Sequence, residues 1–195
     1  MARPKEFDRD VALGAALRVF LEQGYERTTT DDLRRAMGIG RQSLYDTFGD
    51  KHDLYLEAFA RYNTQSIASF LRGLAGGTST PDALVRALTS FADDPGGELA
   101  LGCLGINASC EFGRSDVEVS ALIDASSKTF SRVIRELVLS GKARGEFRAN
   151  VDERKASAFL VATLAGMKVS ARAGVSRRAL REIAGIAVLA LTTNS

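Results

Sequence analysis

Arg41, Gln42, Ser43, Asp46 and Thr47 crowd into one short segment and carry side chains that discriminate base edges in a DNA major groove. Arginine pairs with guanine, glutamine with adenine, aspartate accepts from cytosine, and a threonine methyl meets the thymine methyl. Leu44 and Phe48 fall at i and i+4, an inward pair that leaves the other five on the remaining faces of one helix. Lys51 and an arm containing Arg3 and Lys5 suit phosphate contacts, which position a protein on DNA without reading sequence. An ordinary helical hairpin with a solvated face presents similar residues, so these positions alone leave both readings open.

The elements that must hold this segment are short and well punctuated. Leu13, Leu17, Phe20 and Leu21 recur at i, i+4, i+7 and i+8, which predicts a first helix stopping at Gly24. Thr29 is the expected N-cap of a second helix, with Asp31 and Asp32 at its positive end. Leu33, Ala36 and Met37 make that helix's inner stripe, and Gly38 permits the turn into the third. Asp50 is placed to cap a long fourth helix with an apolar stripe at Ile67, Phe70, Leu71 and Leu74. Helix, glycine turn, helix is the pattern of a helix-turn-helix.

The run Gly24-Tyr25, Thr28-Thr29, Asp32-Leu33, Ala36-Met37-Gly38-Ile39, Ser43-Leu44-Tyr45, Phe48-Gly49-Asp50-Lys51 and Asp53-Leu54 resembles the DNA-binding domain of TetR-type transcriptional regulators. Ala15-Ala16-Leu17 and Phe20 fit that family's first helix, and the resemblance covers about residues 7–60 closely. It implies that Thr28 and Thr29 approach phosphates and that Tyr45 and Lys51 grip the backbone. Arg41, Gln42, Ser43 and Asp46 would then face bases. Two positions depart from the pattern: Gly40 stands where the family usually has a serine cap, and Arg34 where it has a small residue. The resemblance further implies a ligand-responsive regulator, most simply a repressor, that binds a palindromic double-stranded operator as a dimer.

Composition bounds the rest. The 195 residues carry 26 Lys and Arg against 24 Asp and Glu, but residues 1–61 hold 10 against 11, so any DNA-facing basic groups must be concentrated locally. Arg9, Arg34 and Arg35 join Arg3, Lys5, Arg41 and Lys51 as candidates. No segment approaches the roughly 20 apolar residues of a membrane helix, and the first residues do not resemble a secretory leader. Two cysteines without such a leader point to a reducing, cytoplasmic setting.

Beyond residue 75 the chain again reads as helices, giving an all-α fold of about nine. The expected division is a helix-turn-helix domain at 1–55 and a helical ligand-binding and dimerisation domain at 56–195. Thr80-Pro81 should open a fifth helix, Asp93–Gly97 reads as a loop, and Ser115-x-x-Glu118 looks like a capping box opening a seventh. Cys103, Ile106, Asn107 and Cys110 recur at i, i+3, i+4 and i+7, either a pocket wall or a packed core face. Phe91, Phe130, Ile134, Phe159 and Met167 carry the same ambiguity on neighbouring helices. The final helices are apolar around much of their circumference, which demands burial. In the family such helices form a dimeric four-helix bundle; burial within one chain is the alternative.

A Cys103–Cys110 disulfide is excluded within an intact helix, where seven residues span roughly 10 Å against a limit of roughly 7 Å. The lone His52 reads as a surface residue at a helix start, and no residue set suggests a metal or another cofactor. No catalytic dyad, nucleotide loop or GxSxG appears, so an enzyme is not expected. A helical protein-interaction adaptor without sequence-specific DNA binding is the competing class.

Overall fold

The computed structural model describes residues 7–93 and 101–193. Arg3 and Lys5 lie outside the described residues, as does most of the expected Asp93–Gly97 loop. The described residues contain nine α-helices: α1 (Arg9–Gln23), α2 (Thr30–Met37), α3 (Arg41–Phe48), α4 (Lys51–Leu74), α5 (Thr80–Thr89), α6 (Leu104–Phe112), α7 (Val117–Ala143), α8 (Glu153–Arg172) and α9 (Arg177–Leu189). A 3-10 turn at Ser90–Asp93 follows α5, and the one β-type pairing among the described residues is an isolated bridge between Phe147 and Thr192.

Caps set most of these boundaries. Asp8 accepts from the amides of Asp10 and Val11 at the start of α1, and Asp152 does the same for Arg154 and Lys155 at the start of α8. Asp50 accepts from the amides of His52 and Asp53 at 2.7 and 2.9 Å, while Asp53 accepts from the Asp50 amide at 3.1 Å, so α4 opens on a reciprocal capping box. Two expected starts move by one residue. Ser79 rather than Thr80 caps α5, with Pro81 inside the first turn. Asp116 rather than Ser115 caps α7, accepting from the Val119 amide at 2.9 Å, because the Ser115 hydroxyl donates back to the Phe112 carbonyl at 2.7 Å.

Two compact units result. The first comprises residues 1–63 and 104–122: α1 to α3, the opening turns of α4, all of α6 and the start of α7. The expected boundary between residues 55 and 56 falls inside the unbroken α4. In this unit Leu17, Phe20 and Leu21 of α1 are buried with Leu33 of α2, Leu44 of α3 and Leu54 of α4. An aromatic cluster accompanies them: Tyr55 lies 5.0 Å from both Phe20 and Tyr25 and 5.6 Å from Phe112 of α6, centroid to centroid.

The second unit comprises residues 64–103 and 123–195. Here α9 packs against α5 and α8. Leu84, Leu88, Ile134, Val138, Leu160, Leu180 and Ala184 supply its core, and Phe70 meets Phe130 edge to face at 5.3 Å.

Candidate nucleic-acid interface

The reading segment is presented by the elements on either side of it. The Thr29 hydroxyl accepts from the Asp32 amide and the Asp32 carboxylate accepts from the Thr29 amide, both at 3.1 Å, which fixes the start of α2. Hydrogen bonds from Thr29, reinforced by Arg35, hold the Asp32 carboxyl below its ordinary range. At the far end Gly38 takes a left-handed conformation, φ 66° and ψ 29°, and reverses the chain into α3. Gly40 then caps α3 with no side-chain hydrogen bond, a loss of only a few tenths of a kcal/mol against a hydroxyl cap.

Within α3, Leu44 and Phe48 are buried, whereas Arg41, Gln42, Tyr45 and Asp46 are exposed and Ser43 and Thr47 half-buried. The Gln42 side-chain amide donates to the Asp46 carboxylate at 2.8 Å, so two candidate base readers are already joined one turn apart. The Arg41 guanidinium lies 6.0 Å from the Tyr45 ring centroid.

The other candidate cations are engaged. Arg9 forms a two-pronged pair with Glu57, at 2.5 and 2.8 Å. Arg34 pairs with Asp31 and Arg35 with Asp32. The Lys51 ammonium donates to the carbonyls of Tyr25 and Thr28, each at 3.1 Å, and sits 4.0 Å over the Tyr25 ring. Thr28 is buried, its hydroxyl turned onto the Gly24 carbonyl, and the Thr29 hydroxyl is committed to Asp32. Lys51 and Thr28 therefore brace the start of α2 from behind. Among the described members of the set, Arg41 alone has no ion pair or hydrogen bond.

The candidate ligand residues separate. Phe91, Phe130, Ile134 and Met167 are buried in the second unit, and Cys103 of that unit is half-buried. Phe159 does not join them: it is 49% exposed on the outer side of α8. Ile106, Asn107 and Cys110 belong to the first unit. There Asn107 donates to the Leu21 carbonyl at 3.5 Å, Ile106 is half-buried and Cys110 is exposed. The helical face that suggested one pocket wall is thus divided between the two units, and Asn107 and Glu111 of α6 bond to the backbone at the C-terminal end of α1.

Three further residues escaped sequence reasoning. Glu111 accepts from the Tyr25 amide at 2.8 Å, beside Gly24, whose φ of 81° turns the chain out of α1. His52, read as an ordinary surface residue, is half-buried, with its Nε2 2.7 Å from Asp116 at the cap of α7. Lys168 is buried among the apolar residues of the second unit, donating to the Ser66 hydroxyl at 2.7 Å, 5.9 Å from the Phe91 ring centroid. Burial pushes its pKa down. The signal was present: Leu160, Leu164 and Lys168 recur at i, i+4 and i+8, a lysine in an inward register.

Among the described residues no group of three or more acidic, cysteine or histidine side chains is placed to hold a metal, and no helix is long and apolar enough to cross a membrane. Comparison with known proteins gives two family matches: bacterial regulatory proteins of the tetR family over residues 12–58, and a tetracyclin repressor-like C-terminal domain over residues 81–186. An uncharacterized HTH-type transcriptional regulator of Bacillus subtilis, YezE, is 37% identical over 75% of this chain and 76% of its own length. The HTH-type transcriptional repressor ComR of Escherichia coli is 30% identical over 94% of this chain and 88% of its own. Among solved structures, a cysteine mutant of the TetR family transcriptional regulator CifR, complexed with 26 bp double-strand operator DNA, superposes with a TM-score of 0.82. That similarity covers 96% of this chain and 99% of CifR, at 32% identity.

Proposed function

Because the chain belongs to the TetR family of bacterial regulatory proteins, we propose that it is a transcriptional repressor that docks α3 in the major groove of an operator. The observation that carries this reading is Arg41, exposed and without an ion pair at the first position of a helix whose other side is fixed by Leu44 and Phe48. Gln42, Tyr45 and Asp46 share its exposure, and Ser43 and Thr47 flank them. Arg3 and Lys5 belong to the proposal as an arm reaching phosphates. Thr29 contributes backbone placement, and Lys51 and Thr28 act by bracing α2. The relatives are transcriptional regulators rather than enzymes, which agrees with the lack of a catalytic constellation in the sequence.

The operator is a near-palindrome read by a homodimer, with recognition helices about one helical turn apart. Support for the dimer comes from the exposed apolar residues of the last two helices: Phe159 and Val169 on α8, and Ile183, Ile186 and Leu189 on α9. A small molecule held near Phe91, Phe130, Ile134, Met167 and Lys168 relieves repression by binding the DNA-incompetent conformation more tightly. Cys103 borders this proposed effector site. The unbroken α4, with Lys51 in its first turn and its last turns in the second unit, supports a coupling route. The setting is the cytoplasm, where a bacterial chromosome is accessible.

The test is selection of genomic fragments by the purified protein, repeated with Arg41→Ala. A palindromic motif is expected, with the variant losing about 1–3 kcal/mol of discrimination at one position in each half-site, while Tm stays unchanged. Diffuse, salt-sensitive binding that ignores the substitution would instead favour the adaptor reading.

A further inference from the structure

The outward side of α7 carries a feature that neither operator reading nor effector capture uses. Lys128, Arg132 and Arg135 fall at i, i+4 and i+7 on one helical face. With Arg154 from the first turn of α8, they line an open cavity of about 380 Å³. Its other walls are Ser127, Ser131, Ser157 and Ala158, and no carboxylate lines it. Among the described residues none of the four cationic side chains makes an ion pair or a hydrogen bond, and the nearest carboxylate to Arg154, the α8 cap Asp152, is taken up by the Arg154 and Lys155 backbone amides. Glu136, one turn beyond Arg132, makes no ion pair with it.

Such an arrangement works against the helix. Like charges one turn apart repel, whereas an exposed helical face is ordinarily stabilised by alternating signs. The groove is nonetheless a fixed feature: the buried Ser157 hydroxyl donates to the Ser131 carbonyl at 2.8 Å, tying α8 to the backbone of α7 at its floor. The buried stripe of Phe130, Ile134 and Val138 lies on another face of α7, so the cations are not a by-product of core packing.

We propose that this groove binds a small molecule bearing a diphosphate or two phosphate groups. Guanidinium forks take phosphate oxygens in pairs, the Lys128 ammonium supplies a point charge, and the Ser127 and Ser131 hydroxyls can donate to remaining oxygens. A monoanion would leave most of the positive charge uncompensated. A cavity of a few hundred Å³ suits a compact ligand, while duplex DNA presents a convex surface that calls for an extended basic stripe. The proposal stands independently of the operator and effector readings.

Calorimetric titration of the full chain at constant ionic strength tests it, with inorganic pyrophosphate and ADP as probes. Saturable binding of at least one probe at one site per chain is expected. Arg132→Gln or Arg154→Gln should weaken it about tenfold each and the pair about 100-fold, and Arg181→Gln, outside the groove, should leave it unchanged. Removing mutually repelling charges should not lower the unliganded Tm, which separates lost binding from lost folding. Tighter binding of ADP than pyrophosphate identifies a nucleotide as the source of the phosphates; equal binding assigns recognition to the diphosphate alone. Absence of saturable binding in the millimolar range, or binding that the groove variants leave intact, overturns the proposal. So does loss of random-duplex affinity in those variants without any response to the phosphate probes, which would mark a DNA-backbone contact.

Discussion

Asp32 both closes the cap of α2 and neutralises Arg35, and other caps in this chain are built the same way from an ionised carboxylate. Asp50, Asp116 and Asp152 are likewise held below the ordinary value of 3.8, chiefly by backbone amides donating to them. A carboxyl depressed on folding binds fewer protons folded than unfolded. Its contribution is therefore complete above the ordinary value and is lost as pH falls through the depressed one. Urea unfolding midpoints should be flat from neutrality to about pH 5 and fall below about pH 4. Asp116→Asn, which keeps an acceptor but not the charge, should make that fall shallower; an unaltered acid limb would mean the cap contributes nothing through ionisation. Thr29 and Asp50 were legible as caps because a cap is a local pattern of type and spacing. The hydrogen bonds of Thr28 and Lys51 were not, since a backbone carbonyl leaves no mark of residue type or spacing. His52 was missed for a related reason, its partner Asp116 being 64 residues distant in sequence.

At the scale of elements, the starts of α2, α4, α5 and α7 were read to within a residue or two from capping residues, whereas α5 gives way to a 3-10 turn at Ser90, ahead of the expected loop at Asp93. The association of α6 with α1 was not legible, because its bonds join positions 86 residues apart. Asn107, offered by its spacing as a pocket group, also donates to the carbonyl of Leu21 near the end of α1. Glu111→Ala removes the acceptor of the Tyr25 amide beside Gly24. The expected cost is about 1 kcal/mol, with faster hydrogen exchange at Tyr25 while amides in the middle of α9 keep their protection. Unchanged exchange at Tyr25 would show that α1 ends without help from α6. The outer cations of α7 were present in the sequence as a regular stripe, but only the position of Arg154 turns that stripe into one wall of a groove.

For the whole molecule, the apolar content of the last two helices announced burial without saying where. In the described structure α8 and α9 bury one side each and leave Phe159, Val169, Ile183, Ile186 and Leu189 uncovered. Ile186 is 70% exposed, so Ile186→Arg changes nothing in the chain's own core. Sedimentation should find a dimer that this variant converts to monomer, with operator affinity reduced about 100-fold or more because the two half-sites are then bound separately. A variant that stays dimeric would place the interface elsewhere. The division into units has a practical side for anyone building hybrid sensors. Residues 104–122 return to the same unit as α1 to α3, and Phe112 closes on Tyr25 and Tyr55. A graft of residues 1–55 onto a foreign sensing domain would leave those aromatic rings without their lid. The portable cassette in this protein is discontinuous, and a recipient must supply or accept both pieces.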